Sequence, residues 1–266
     1  MPFNKPKRST AATAWEITKF ILTTGVLVWL VVRGSKGLGY NWQWYRVPQY
    51  LYSLDAGGFV AGPLLEGLWV TLKITFFSFF LAFFFGLTTA LFRLSDSWAA
   101  RGLARFYLET IRNSPLLIQI FFMYFVIAPI LDINAFTSAV VSLSLFEGAY
   151  TSEIIRAGIQ AIPKGQWEAC HSLGLSGFDT LRKVILPQAM RHMLPPLTGQ
   201  AVSLIKDSAL VSTIAIYDLT MQAQAVISET FLTFEIWFTV AGIYLLLTAS
   251  LSFLVSRLED RMIETA

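Results

Sequence analysis

Apolar residues along this chain gather into long blocks joined by short polar connectors. Six blocks read as transmembrane helices, residues 15–32, 64–92, 116–131, 133–162, 193–217 and 236–256, since about 20 apolar residues in a helix cross the hydrocarbon of a bilayer. The first has bases before it, but Arg33-Gly-Ser-Lys36 follows where a small-x-small cleavage site would stand, so it reads as a retained helix and not a leader. In the second, whose lipid-length portion is 74–92, Phe76, Phe77, Phe79, Phe80, Phe83, Phe84 and Phe85 wrap all sides, as packing against lipid and helices would use them. Pro115 opens the third, a residue suited to a first helical turn. The fourth begins apolar and is then interrupted by Glu147, Glu153 and Arg156; the fifth contains Lys206-Asp207; the sixth carries no charge. Residues 37–62, rich in Trp, Tyr and Gly, read as an outer loop near the lipid headgroups, where amphipathic rings are favoured. The pattern predicts an all-α integral membrane protein with about six transmembrane helices.

Composition agrees: 55% of the 266 residues are hydrophobic and 14% charged, against about a quarter charged in soluble domains. Cys170 is the single cysteine, which excludes an intrachain disulfide and a CxxC metal or redox pattern. Bases lie in short clusters between apolar blocks, a poor arrangement for nucleic acid. Their placement sets an orientation. With the N-terminus inside, the inner segments hold fourteen Lys and Arg, from Lys5, Lys7 and Arg8 through Arg93, Arg101, Arg105 and Arg112 to Arg257 and Arg261, and the outer ones hold three, Arg33, Lys36 and Arg46. The positive-inside bias then predicts both termini cytoplasmic.

That topology brings one polar stretch, residues 163–188, to the cytoplasmic side. Pro163-Lys-Gly165 permits a turn, after which helical spacing sets Trp167, Cys170 and Leu173 on one face. Gly174 and Ser176-Gly177 break the run, and a second short helix aligns Phe178, Leu181 and Val184-Ile185 before stopping at Pro187. Glu168 in a first turn and Arg182-Lys183 in a last turn would suit the helix dipoles. Periodicity alone leaves two readings open, an amphipathic hairpin resting on the membrane and a protein-docking element.

The residues themselves carry a resemblance. Glu168-Ala169-Cys170, then Gly174, then Val184-x-Leu186-Pro187 is similar to the EAA loop of bacterial ABC importer permeases, with Cys170 in place of an alanine and Val184 in place of an isoleucine. "ETIRNSPLLIQIFF" (109–122), "GAYTSEIIRAGIQAIPKGQWEA" (148–169) and "LIKDSALVSTI" (204–214) resemble the polar amino-acid branch of that family. The likeness runs from about Gly62 to the C-terminus and implies a five-helix permease core over 62–266. Outside it lie a cytoplasmic tail (1–14) and an extra helix with its aromatic periplasmic loop (15–61). The resemblance implies a multi-pass inner-membrane subunit that translocates polar amino acids, pairs with a second permease and receives solute from a periplasmic binding protein. ATP and Mg would be bound by separate cytoplasmic ATPases docked on the loop, through Gly165, Trp167, Glu168, Ala169, Cys170, Leu173, Gly174, Leu175, Phe178, Leu186 and Pro187. This chain has no Walker-type phosphate loop and is not expected to be an enzyme. The rival transport reading is an ion-gradient-driven amino-acid carrier, which usually shows inverted repeats; none is visible. A pathway-free membrane scaffold is a third.

Ionisable groups inside the bilayer are costly and so become candidates for function. Glu147 lies about 20 Å into the fourth block at the helical rise and could meet the amino group or side chain of a solute; the alternative is a carboxylate neutralised by a base or a proton. Glu153 and Arg156, three residues apart, can pair on one face. Lys206, Asp207 and Ser208 mark a place where the fifth helix bends or lines a cavity. Arg112 reads as an interfacial anchor. His171 and His192 lack a surrounding ligand cluster, so neither catalysis nor metal binding is expected of them.

Overall fold

Inside a bilayer every backbone N–H and C=O must find its partner within the protein, and helices do this segment by segment. The computed structural model follows that rule almost throughout, and it describes residues 10–37, 39–55 and 58–264. The tail residues Lys5, Lys7 and Arg8 lie outside the described residues. Two units separate, Met1–Trp44 and Tyr45–Ala266. The first holds α1 (Thr10–Gly37), whose stretch Trp15–Gly34 is long and apolar enough to cross a membrane.

The second unit opens with α2 (Pro48–Leu51) and a small antiparallel hairpin, β1 (Tyr52–Asp55) with β2 (Gly58–Ala61), Tyr52 facing Ala61. This hairpin corrects the all-α expectation; Tyr52 and Phe59 stack across it with ring centroids 6.0 Å apart. Then follow α3 (Pro63–Leu94), α4 (Trp98–Arg112), α5 (Leu116–Phe122), a π turn over Met123–Ile127 and α6 (Ala128–Leu131). After α7 (Ala135–Gln160) come α8 (Lys164–Ser172), α9 (Gly177–Asp179), a second π turn over Thr180–Ile185, α10 (Leu186–Asp207), a 3-10 segment over Ser208–Ile214, α11 (Leu219–Thr230) and α12 (Thr233–Glu264).

Among the described residues α1, α3 and α12 each suffice to span a membrane. Counting each bent pair as one span adds two more: α4 with 116–131, bent by 106°, and 177–214 with α11, bent by 50°. α7 is about 39 Å long at the helical rise yet too polar to qualify by composition, and its position explains why. It is the central helix, with Ser138, Ser142, Ser144, Glu147, Thr151 and Ser152 all buried. Its hydroxyls bond back to carbonyls, Ser142 to Ser138 O at 2.7 Å and Ser152 to Ala149 O at 2.9 Å, so a buried helix needs no lipid-facing apolar surface.

α3 packs along α7 through a stripe of small residues, Ser78, Ala82, Gly86 and Ala90, while its Gly67 and Thr71 meet the start of α11, Thr71 Oγ1 accepting from Leu219 N–H at 3.1 Å. A Cβ on Gly86 would sit 2.5 Å from Thr151 Cγ2, the close approach that small residues permit between membrane helices. Six of the seven phenylalanines share the outer side of α3, and Phe85 is half-buried beside Gly148 of α7. Phe76, Phe77, Phe79, Phe80, Phe83 and Phe84 are exposed, away from that stripe. Three apolar clusters close the unit. One lies around Leu143 and Ile120, one around Leu64 and Ile236, and one around Ile155, Ile185 and Met193.

Candidate functional site

The stretch 163–188 folds as two helical pieces joined by a tight turn, at the end of the bundle where α3 and α7 finish. Pro163 caps α8 in an extended conformation, so α8 starts at Lys164 and Glu168 falls in its second turn. The first-turn dipole reading of Glu168 is thus corrected. α8 ends in a Schellman arrangement: Leu175 N–H bonds Cys170 O at 3.1 Å and Gly174 N–H bonds His171 O at 3.0 Å. Gly174 sits at φ +71° with no atom within 4 Å of a would-be Cβ. Glycine is required there by backbone shape and not by crowding.

Ser176 caps the second piece, accepting from Asp179 N–H at 3.1 Å while donating to Asp179 Oδ2 at 2.9 Å. Lys183, 2.7 Å away, and then Ser176 hold the Asp179 carboxyl below the ordinary value. This helix does not stop at Pro187. It runs on from Gly177 through the π turn into α10, because the widened turn, with Leu186 N–H bonded to Leu181 O, relieves the ring's clash with the preceding carbonyls. Gln188 Nε2 donates to Val184 O at 2.9 Å nearby. Arg182 and Lys183 consequently lie in mid-helix and not in a last turn.

The predicted apolar face of α8 divides. Cys170 is buried, Trp167 is half-buried and packs against the cluster around Ile155 and Ile185, and Leu173 is 79% exposed. On the second piece Phe178 is 69% exposed, Leu175 and Leu181 half-buried and Ile185 buried. Gly165, Glu168, Ala169, Leu186 and Pro187 face outward. Glu168 has no ion pair among the described residues. The loop is clamped to the bundle by one set of apolar side chains and presents another, Leu173 and Phe178, beside a free carboxylate.

Deeper in the bundle, Glu147 is buried and accepts a hydrogen bond from Gln200 Nε2 on α10. No base pairs with it among the described residues, and its Oε1 has no partner. It lines a cavity of about 420 Å³ whose walls are mainly apolar, Phe79, Phe83, Leu197 and Leu251 among them. Asp207, half-buried, is its acidic neighbour. Lys206, next in sequence, is exposed. Ser208 is buried and bonds back to Ile205 O at 2.7 Å, at the point where α-helix gives way to the 3-10 segment. The irregularity expected at Lys206-Asp207 is there.

Glu153 stands apart from that cavity. It pairs with Arg156 at 2.9 Å, as its spacing predicts, and also with Arg93 and with Arg112 at 3.4 Å. One carboxylate thus ties α3, α4 and α7. Arg112 is more than an interfacial anchor, since it also lies over the Tyr150 ring at 5.6 Å. Sequence reasoning overlooked Gln200, a neutral residue in an apolar run, and Lys73, which lies over Trp69 at 5.2 Å. It also overlooked Asp218, whose Oδ1 accepts from Met221 N–H at 2.8 Å and caps α11.

Against known proteins, residues 82–264 match the family described as binding-protein-dependent transport system inner membrane component. The glutamine transport system permease protein GlnP of Escherichia coli K12 is 41% identical over 202 residues, 75% of this chain and 92% of that relative. The L-cystine transport system permease protein TcyB of Bacillus subtilis is 42% identical over 166 residues, 62% of this chain and 71% of that relative. A crystal structure of an amino acid ABC transporter with histidines superposes with TM-score 0.70 at 39% identity, covering 75% of this chain and 94% of that one. The MetNI methionine ABC transporter, at 22% identity and TM-score 0.66 over 75% of this chain and 96% of that one, shares the fold. This chain belongs to the family of inner membrane components of binding-protein-dependent transport systems.

Proposed function

We propose that the chain is the permease subunit of an ATP-binding-cassette importer that carries polar amino acids across the bacterial inner membrane. The observation that carries this reading is the loop at 163–188, which is anchored on one side and exposes Leu173, Phe178 and an unpaired Glu168 on the other. An apolar tip beside a charge fits a groove on a soluble partner better than it fits water. The partner is a cytoplasmic ATPase that binds ATP and Mg, and its closure moves the loop. The chain spans the membrane about six times with both termini cytoplasmic, on the strength of the fourteen-to-three bias of its bases. It pairs with a second permease and accepts solute from a periplasmic binding protein, and Glu147, Asp207 and Gln200 face the solute's amino group or side chain.

The glutamine and cystine relatives support an amino-acid cargo and leave the ion-gradient alternative disfavoured. The test is to purify the chain with its ATPase and measure which amino acid, delivered by its binding protein, stimulates ATP hydrolysis. Solute uptake that persists after the ATPase is removed would sink the proposal.

A further inference from the structure

The end of the bundle that carries the docking loop holds a separate cleft of about 670 Å³, walled by the end of α3, by α4 and by Glu153 of α7. Arg93, Arg101, Arg105 and Arg112 line it against Glu109 and Glu153. Arginine stays charged at every physiological pH, so the cleft holds two positive charges beyond what its own carboxylates neutralise. Glu153 is already shared with Arg156, and Glu109 Oε2 accepts from Asn113 Nδ2 at 3.0 Å. Arg101 Nη1 donates to Ser95 O at 3.2 Å. Arg105 has no hydrogen bond or ion pair among the described residues. The floor is open as well, because nothing lies within 4 Å of where a Gly102 Cβ would stand.

The neighbouring stripe of α4 is apolar and turned outward, with Leu103 59% and Phe106 71% exposed, and Trp98 at the head of the helix is 84% exposed. Trp at such a level suits a membrane–water boundary. The opposite face of α4 is fixed to the bundle by Ala104, Leu108 and the Tyr107 hydroxyl, which donates to Leu145 O at 2.5 Å. A firmly held helix thus offers a basic cleft beside an exposed apolar stripe. An occupant that satisfies both has an anionic head and hydrocarbon chains.

We infer that this cleft binds the phosphodiester headgroup of an anionic phospholipid, the phosphate meeting Arg101, Arg105 and Arg112 and the chains lying along Leu103 and Phe106. The inference rests on the permease reading only for placing this end of the bundle in the inner leaflet. Basic pockets beside membrane helices bind such headgroups, each arginine near the surface contributing a factor of about five.

Native mass spectrometry of the full chain in neutral detergent, titrated with phosphatidylglycerol, with phosphatidylcholine and with inorganic phosphate, tests it without ATPase or transport. Its failure therefore differs from failure of the permease proposal. Phosphatidylglycerol should be retained at one per chain in preference to phosphatidylcholine. Arg105→Gln and Gly102→Phe should each weaken that retention about five-fold or more, while Arg191→Gln, an exposed arginine of α10 outside the cleft, leaves it unchanged. Equal retention of the two lipids overturns the inference, as does indifference to both cleft variants. Displacement of the lipid by millimolar inorganic phosphate would mark a free-anion site and also overturns it.

Discussion

Gly174 lets the proposed docking role of the loop be tested by a graded series. Its φ of +71° lies in the left-handed region, and a Cβ would meet open space. A substitution therefore changes backbone energy and little else. For an ordinary L-residue that conformation costs roughly 1–2 kcal/mol, less for Asn and more for a β-branched residue. Between Cys170 and Leu175 the turn has two hydrogen bonds to hold it, so such a penalty shifts the balance between native and opened loop by about 5- to 30-fold. Gly174→Asn, Gly174→Ala and Gly174→Val should therefore reduce solute moved per ATP hydrolysed in that order, Asn least. Gly25→Ala is the control, since Gly25 is helical, lies outside the loop and has open space, and alanine there favours α1 by about 0.5–1 kcal/mol. The assay is uptake into proteoliposomes with the ATPase and binding protein, run beside ATPase activity and membrane abundance. Wild-type stoichiometry in Gly174→Val, or in a Gly174→Asp, Glu168→Lys double variant, would refute the reasoning.

Glu147→Gln keeps the shape of a side chain whose Oε1 is unpartnered; if it receives the solute's ammonium, uptake should fall about ten-fold while basal ATP hydrolysis holds, and equal losses in both point to a folding role. Glu153→Ala strands Arg93, Arg112 and Arg156 and should destabilise the bundle by roughly 1–3 kcal/mol, seen as a lower Tm in detergent; an unchanged Tm contradicts the tie between α3, α4 and α7. Gly86→Ala drives a methyl to 2.5 Å from Thr151 Cγ2 and should cost about 1–3 kcal/mol. Adding Thr151→Ser, which deletes that methyl, should recover part of the loss, and no recovery argues against the contact.

Sequence showed what depends on local pattern. The apolar blocks became α1, α3, α7, α10 and α12, and the spacing of Glu153 and Arg156 became a 2.9 Å pair. Gly174 between two short helices marked the turn. What escaped was what depends on distant partners. Arg93 and Arg112 reach Glu153 from 60 and 41 residues away, and Gln200 reaches Glu147 from 53. α4 and α11 carry their apolar residues in helical period and not in blocks, so a search for spanning runs passes over them. Pro187 is a sound stop signal for an α-helix, and only the π turn before it, a detail of backbone winding, allows the helix to continue.

That continuity makes a lever. From Phe178 on the exposed tip to Gln200 beside Glu147 is one helical run of roughly 33 Å at 1.5 Å per residue, so a tilt of about 5° at the tip sweeps the far end by about 3 Å unless the run flexes. Pro195 and Pro196, between the two, are where it can flex. Under the proposed docking, the stiffness of that dipeptide sets how much of an ATPase's stroke arrives at the buried carboxylate and how much is absorbed on the way.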